Sequence, residues 1–163
     1  MNESFVDDEF IQSVIDRYSD TVFRVSYQYV RNRQDAEDVL QEVLLGLLDY
    51  LSQAQFKNDE HLKAWLIRVT INKSINFVKR TARRKKREIS SFEEIHIDTQ
   101  YDDLDYSLSK LSATDRELIY LRYYEGYSAR GIADLMNMTE KSVFKRLSRA
   151  RLKLKDFISE GGV

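Results

Sequence analysis

The side chains of this 163-residue chain whose types and spacing could do chemistry are cations and amides, and the chemistry they offer is recognition. From Glu140 onward, stepping round a helix at about 100° per residue puts Lys141, Lys145 and Ser148 on one face, with Phe144 and Arg149 flanking it. Val143, Leu147, Ala150 and Leu154 form the opposite, apolar stripe. Cations neutralise phosphates and reach base edges, so a helix with such a face fits the major groove of duplex DNA. A second set runs along one side of the segment after Trp65: Arg68, Asn72, Asn76, Lys79, Arg80 and Arg83. Its asparagines can bond base edges while its cations hold a backbone. A third set is acidic. Asp38, Gln41, Glu42 and Leu45 lie at i, i+3, i+4 and i+7, hence on one helix face. An apolar residue inside that polar surround suits a protein partner better than a nucleic acid.

A plainer reading stands beside each of these. A basic helix face is usually just solvated. Asp and Glu near a helix start offset its dipole without any partner. The residues alone leave both readings open. Enzyme chemistry is a different matter. There is no cysteine, and the two histidines, His61 and His96, are far apart in sequence and read as ordinary surface residues. No metal site is expected from them. No carboxylate cluster is backed by an apolar pocket, and no Gly-rich loop could cradle a nucleotide. No cofactor is expected.

The elements that would position these faces are helices. Five glycines, no proline and 42% apolar residues argue for an all-α chain. Phe10, Val14, Tyr18, Val22, Val25 and Tyr29 predict a helix over Phe10–Val30, broken at Arg31-Asn32-Arg33. A second helix, Gln34–Leu51, has its inner stripe at Val39, Leu40, Val43, Leu47 and Leu51. A polar loop, Ser52–Glu60, precedes a third helix, His61–Arg84. There Leu62, Leu66 and Val69, with Ile67, Ile71, Ile75 and Val78, mark a wide buried arc, and Trp65 is assigned to packing. Together these form a three-helix bundle. Residues 88–105 are acidic and lack a helical period, so they read as a linker. Shorter helices follow: Tyr106–Leu111, then Thr114–Tyr124 with Thr114 and Glu117 at capping-box spacing. Ser128 caps a helix ending at Met136, and Asn137 turns the chain into the last helix. The ten tyrosines are placed mainly on core stripes.

The formal net charge is only −1, but the charge is segregated. Cations gather in Lys79–Arg87 and Lys141–Lys155, carboxylates in Asp35–Glu42 and Glu93–Asp105, which suggests separate surfaces for separate partners. Met1–Phe10 lacks a signal-peptide pattern, and no run approaches the ~18 apolar residues of a membrane helix, so a cytoplasmic chain without membrane insertion is expected.

A helix, a three-residue turn and a basic helix make a helix-turn-helix. The stretch Leu111–Leu154, with Leu-Arg-Tyr-Tyr-Glu-Gly-Tyr-Ser, Ile-Ala and Val-x-x-Arg-Leu-x-Arg-Ala-Arg, resembles region four of the sigma-70 family in its extracytoplasmic-function form. Asp35-Ala36-Glu37-Asp38-Val39-Leu40-Gln41-Glu42-Val43 resembles region two, and His61–Arg84 resembles its −10 recognition helix. The resemblance implies an alternative sigma factor, not an enzyme. Residues 1–87 would form region two, 88–105 the linker and 106–163 region four. The implied partners are the clamp of the largest subunit of RNA polymerase core, promoter DNA and an anti-sigma factor. Asp35, Asp38, Gln41, Glu42 and Leu45 would meet the clamp. Phe56, Lys57, Asn58 and Asp59 would wall a pocket for an extruded −10 base. Arg68, Asn72, Asn76, Lys79, Arg80 and Arg83 would hold the opened strand.

The −35 duplex would fall to Lys141, Ser142, Phe144, Lys145, Ser148 and Arg149, with Arg146 and Arg151 on phosphate or within the domain. The linker would thread toward the polymerase active-site channel. Several residues depart from the family pattern. Ser112 stands where proline is frequent, Gly131 replaces an acid, Asn137 and Lys141 replace glycines, and Phe144 replaces a cation. Phe144 could touch a thymine methyl group or fill a local gap. A second reading, an operator-binding helix-turn-helix regulator, leaves the Asp38–Glu42 patch without a purpose.

Overall fold

The computed structural model describes residues 8–87 and 103–161, with side chains from 106 to 159 in the second stretch. The described residues contain helices and no strand: α1 Asp8–Val30, α2 Arg33–Leu51, α3 Asp59–Arg87, α4 Asp103–Ser109, α5 Ala113–Ile119, a π-helical turn Tyr120–Tyr124, α6 Ala129–Met136 and α7 Glu140–Gly161. The chain divides into two compact units, Met1–Lys86 and Arg87–Val163. No described helix is long and apolar enough to cross a membrane.

In the first unit the core follows the apolar stripes. Val14, Tyr18 and Val22 of α1, Val39, Val43 and Leu47 of α2, and Leu62 and Leu66 of α3 form one buried cluster. Each such side chain contributes about 1.5–3 kcal/mol when fully buried. Trp65 and Phe56 pack against the cluster from its edge. Burial on α3 also takes in Ile67, Thr70, Ile71 and Ser74, the wide arc expected of a helix lying against two others. Phe10 and Val78, at the ends of the expected stripes, are 39% and 40% exposed, because the stripes outrun the core. Arg31 adopts φ 58° and ends α1, and Asn32 caps α2 by accepting the Asp35 N–H at 2.9 Å.

The second unit differs from expectation in three places. Residues 103–105 are already helical, so α4 begins inside the expected linker and ends at Ser109; those residues continue the acidic run and carry no apolar period. Residues 88–102 lie outside the described residues. Thr114 does not cap α5. Ser112 does, accepting the Asp115 N–H at 3.2 Å, which gives a purpose to a serine at a position where the family often has proline. Glu117 is thereby turned into the core. Finally, the helix does not continue α-helically to Tyr124. The Glu125 N–H reaches the Tyr120 carbonyl at 3.1 Å, the Tyr127 N–H reaches Leu121, and Gly126 takes φ +78°. The π turn changes the angular step per residue, so extrapolating the stripe fails beyond Ile119. Tyr120 stays buried while Tyr123 and Tyr124 are 55% and 59% exposed, against the expectation that the tyrosines mainly line the core.

Candidate nucleic-acid and protein interfaces

On α2, the Asn32 cap also donates its side-chain N–H to the Asp35 carboxylate at 2.7 Å, so Asp35 is occupied in starting the helix. Asp38 and Gln41 are exposed, and Leu45 is 66% exposed. Leu48, one turn on from Leu45, is 41% exposed and extends the apolar part of that face. Its i, i+3 relation to Leu45 is the signal that could have marked it. An uncovered leucine pair beside carboxylates has the makings of a protein contact.

Glu42 lies at the border with α3. Its carboxylate meets the Arg80 guanidinium at 3.4 Å. Both side chains are substantially exposed, so the pair contributes at most about 1 kcal/mol. From there α3 presents Arg68, Asn72, Asn76, Lys79, Arg80 and Arg83, all exposed. A groove of about 390 Å³ between α2 and α3 is lined by Glu42, Lys73, Asn76, Lys79, Arg80 and Arg83. Lys73 is an addition. It precedes Asn76, Arg80 and Arg83 by three, seven and ten residues, a helical spacing that could have revealed it. The helix continues with exposed Arg84, Lys85, Lys86 and Arg87.

The loop before α3 is ordered by its own side chains. Asn58 caps α3 by accepting the His61 N–H at 2.8 Å. Asp59 pairs with Arg17 of α1 at 3.2 Å. Phe56 stacks on Tyr50 with ring centres 4.7 Å apart and meets Trp65 at 5.7 Å and His61 at 5.2 Å edge-on. A cleft of about 320 Å³ is bounded by Phe10, Leu51, Gln55, Phe56, Asn58, Asp59 and Leu62. Three of the four expected wall residues therefore line one cleft, and Lys57 does not. His61 is not the plain surface residue expected: its Nδ1 accepts the Lys57 N–H at 3.1 Å, and its ring is half-buried. His96 lies outside the described residues.

In the second unit, Ser128 caps α6 through the Gly131 N–H at 3.1 Å. Asn137 takes φ 53°, and Thr139 caps α7 through the Ser142 N–H at 3.1 Å. Val143, Leu147 and Ala150 are buried, and Lys141, Lys145, Ser148 and Arg149 are exposed on the other side. Phe144 is 57% exposed, so it fills no gap. Ser142 is half-buried and hydrogen-bonded to Thr139, and Arg146 lies 3.6 Å from the Asp115 carboxylate, a side chain only 14% exposed. These two are partly committed within the unit. The core of this unit holds a charge problem. Glu117 is fully buried and neither carboxylate oxygen has a hydrogen-bond partner. Desolvation pushes its pKa well above 4.5, Glu125 adds to the rise, and Arg116 opposes it.

The Sigma-70 region 2 model matches residues 14–84, and the Sigma-70, region 4 model matches residues 101–154. The RNA polymerase sigma factor SigV of Bacillus subtilis is 28% identical over 135 residues, covering 78% of each chain. The ECF RNA polymerase sigma factor SigE of Mycolicibacterium smegmatis is 26% identical, over 90% of this chain and 61% of that one. Among solved structures, the sigma factor RpoE bound to the anti-sigma factor NepR from Bartonella quintana has the same fold, with TM-score 0.75, 24% identity, and 93% and 97% of the two chains covered. CnrH, in complex with the cytosolic domain of CnrY, gives TM-score 0.68 at 22% identity, covering 95% of this chain and 91% of that one. With two matched regions in family order and a helix-turn-helix in the second, the chain belongs to the sigma-70 family, as an extracytoplasmic-function sigma factor that directs promoter-specific transcription initiation and is not itself an enzyme.

Proposed function

We propose that the two units divide promoter recognition between an opened strand and a duplex. The first unit, taken as residues 1–87, docks on the clamp of core polymerase through Asp35, Asp38, Gln41, Glu42 and Leu45, with Leu48 extending the contact. Its α3 face, Arg68 to Arg83, holds the non-template strand of the −10 element, and the cleft beside Phe56, Asn58 and Asp59 receives an unstacked base. The second unit, taken as residues 106–163 with α4 opening it at Asp103, reads the −35 duplex through Lys141, Phe144, Lys145, Ser148 and Arg149. Residues 88–105 join the two. The sigma factor RpoE was captured with an anti-sigma factor, and an inhibitor of that class is proposed here too.

One observation carries this reading. Two neighbouring helices of one bundle have opposite outer faces, acid and leucine on α2, cation and amide on α3, meeting at the Glu42–Arg80 pair. A plain operator-binding regulator has no use for the first. Co-purification with core polymerase tests it. Gln41→Ala combined with Glu42→Lys should abolish co-purification while the helical content stays unchanged. A variant that still travels with polymerase would remove the docking surface from α2.

A further inference from the structure

We propose that His61 is a latch that holds the strand-capture loop in shape, and that it closes only on a neutral imidazole. The proposal rests on the reading of the first unit as a strand-capture surface. The latch is a pair of reciprocal bonds. Asn58 Oδ1 accepts the His61 N–H at 2.8 Å, and His61 Nδ1 accepts the Lys57 N–H at 3.1 Å. The pattern is that of a capping box, in which the residue three positions into the helix bonds back to the chain before it. The usual Glu or Gln accepts at any pH near neutrality. An imidazole nitrogen accepts only while it is unprotonated.

The latch acts on the cleft through Phe56. The His61 ring meets Phe56 edge-on at 5.2 Å, and Phe56 lies against Tyr50 and Trp65. Phe56 and Asn58 both line the cleft. Protonation would set an Nδ1–H against the Lys57 N–H, donor to donor, at the positive end of the α3 dipole. The charged and titratable groups around this helix end are Lys57 in the loop, Asp59 and Glu60 in the first turn of α3, Arg17 of α1 and Tyr50 of α2. Asp59 is engaged with Arg17 at 3.2 Å. His61 is therefore a positioning residue, acting on DNA through Phe56 and Asn58.

The test uses holoenzyme, made with core polymerase and wild-type, His61→Asn or His61→Phe chains. Opening is read from a fluorescent adenine analogue in the −10 element. Asn keeps an acceptor that does not titrate; Phe keeps the ring and loses the acceptor. With the imidazole neutral, wild type and H61N should open DNA alike, and H61F about fivefold less. At a pH low enough for the imidazole to carry a second proton, wild type should fall toward H61F while H61N does not, the ratio at each pH cancelling the polymerase's own response. Amide exchange of Lys57 in the free chain should accelerate on acidification in wild type relative to H61N. A constant wild-type to H61N ratio across pH, or H61F opening like wild type, overturns the latch alone. If all three bind polymerase and none opens DNA, the strand-capture reading falls and the latch with it.

Discussion

α3 and α7 both turn cations outward, yet the chain holds them in opposite ways. α7 is fixed at its start by the left-handed Asn137 and the Thr139 cap, with Val143, Leu147 and Ala150 buried beneath and Arg146 tied to Asp115. Its outer face is short and preset. α3 is buried only as far as Ser74, and its basic residues continue for more than three turns to Arg87. Beside it lie an irregular loop and a cleft. The contrast is the one that the proposed pair of targets requires. Duplex DNA has a regular groove, and a rigid helix with a few correctly spaced side chains can read it. An opened strand has no shape of its own. A surface that holds it must supply one, with a track for phosphates, amides for base edges and a recess for a base. On the proposed division, the mixed composition of the α3 face, asparagine among cations, serves the second task.

Breaking one face while sparing the other is the strongest test of that division. Lys79→Glu with Arg83→Glu reverses two charges on the α3 track and leaves the Glu42–Arg80 pair intact. Promoter opening by holoenzyme should fall at least about a hundredfold, with −35 duplex affinity within about twofold of wild type. Equal losses in both assays would mean that the helices do not have separate targets. On α7, Lys145→Ala or Arg149→Ala should each weaken −35 binding by holoenzyme by about 1–3 kcal/mol, roughly five- to 150-fold. Opening of a template that is already melted at −10 should hold. If both variants bind the duplex as wild type does, the reading face of α7 has been misplaced.

Most of the helical framework was legible because periodicity reports burial directly. Val39, Val43 and Leu47, or Val143, Leu147 and Ala150, could face only inward at helical spacing. The exposed candidates on α3 and α7 followed as the other side of the same stripes. What escaped depends on geometry that a period does not carry. Lys73 belongs to the groove because α2 passes close enough to close it. Ser112 outcompetes Thr114 as a cap through backbone conformation, a matter of φ and ψ rather than residue type. Tyr123 and Tyr124 turn outward because a π turn resets the angular step. His61 was passed over because its only sequence signal, three residues after an Asn, is a capping-box spacing with an unusual partner.

The smallest expected effect separates the two units by stability rather than by DNA. Among the described residues, the polar side chains that the first unit buries are the hydroxyls of Ser26, Thr70 and Ser74, whereas the second buries the Glu117 carboxyl without a hydrogen-bond partner. Its pKa is raised well above 4.5 in the folded state. Below the unfolded value, both states carry the proton and the group adds no pH dependence. As pH rises through that range, the unfolded chain releases its proton while the folded chain keeps it. The folded state then binds more protons, so stability falls with pH until the folded carboxyl also ionises. Glu117→Gln removes the proton altogether. Amide exchange in α5 and α7 of the full chain should therefore slow in E117Q at neutral pH, and its pH slope should flatten. Exchange in α1 to α3 and the affinity for −35 DNA should not change. If α1 to α3 lost the same slope, the effect would not arise from the buried Glu117 carboxyl, and the contrast between the two cores would have to rest on something other than charge.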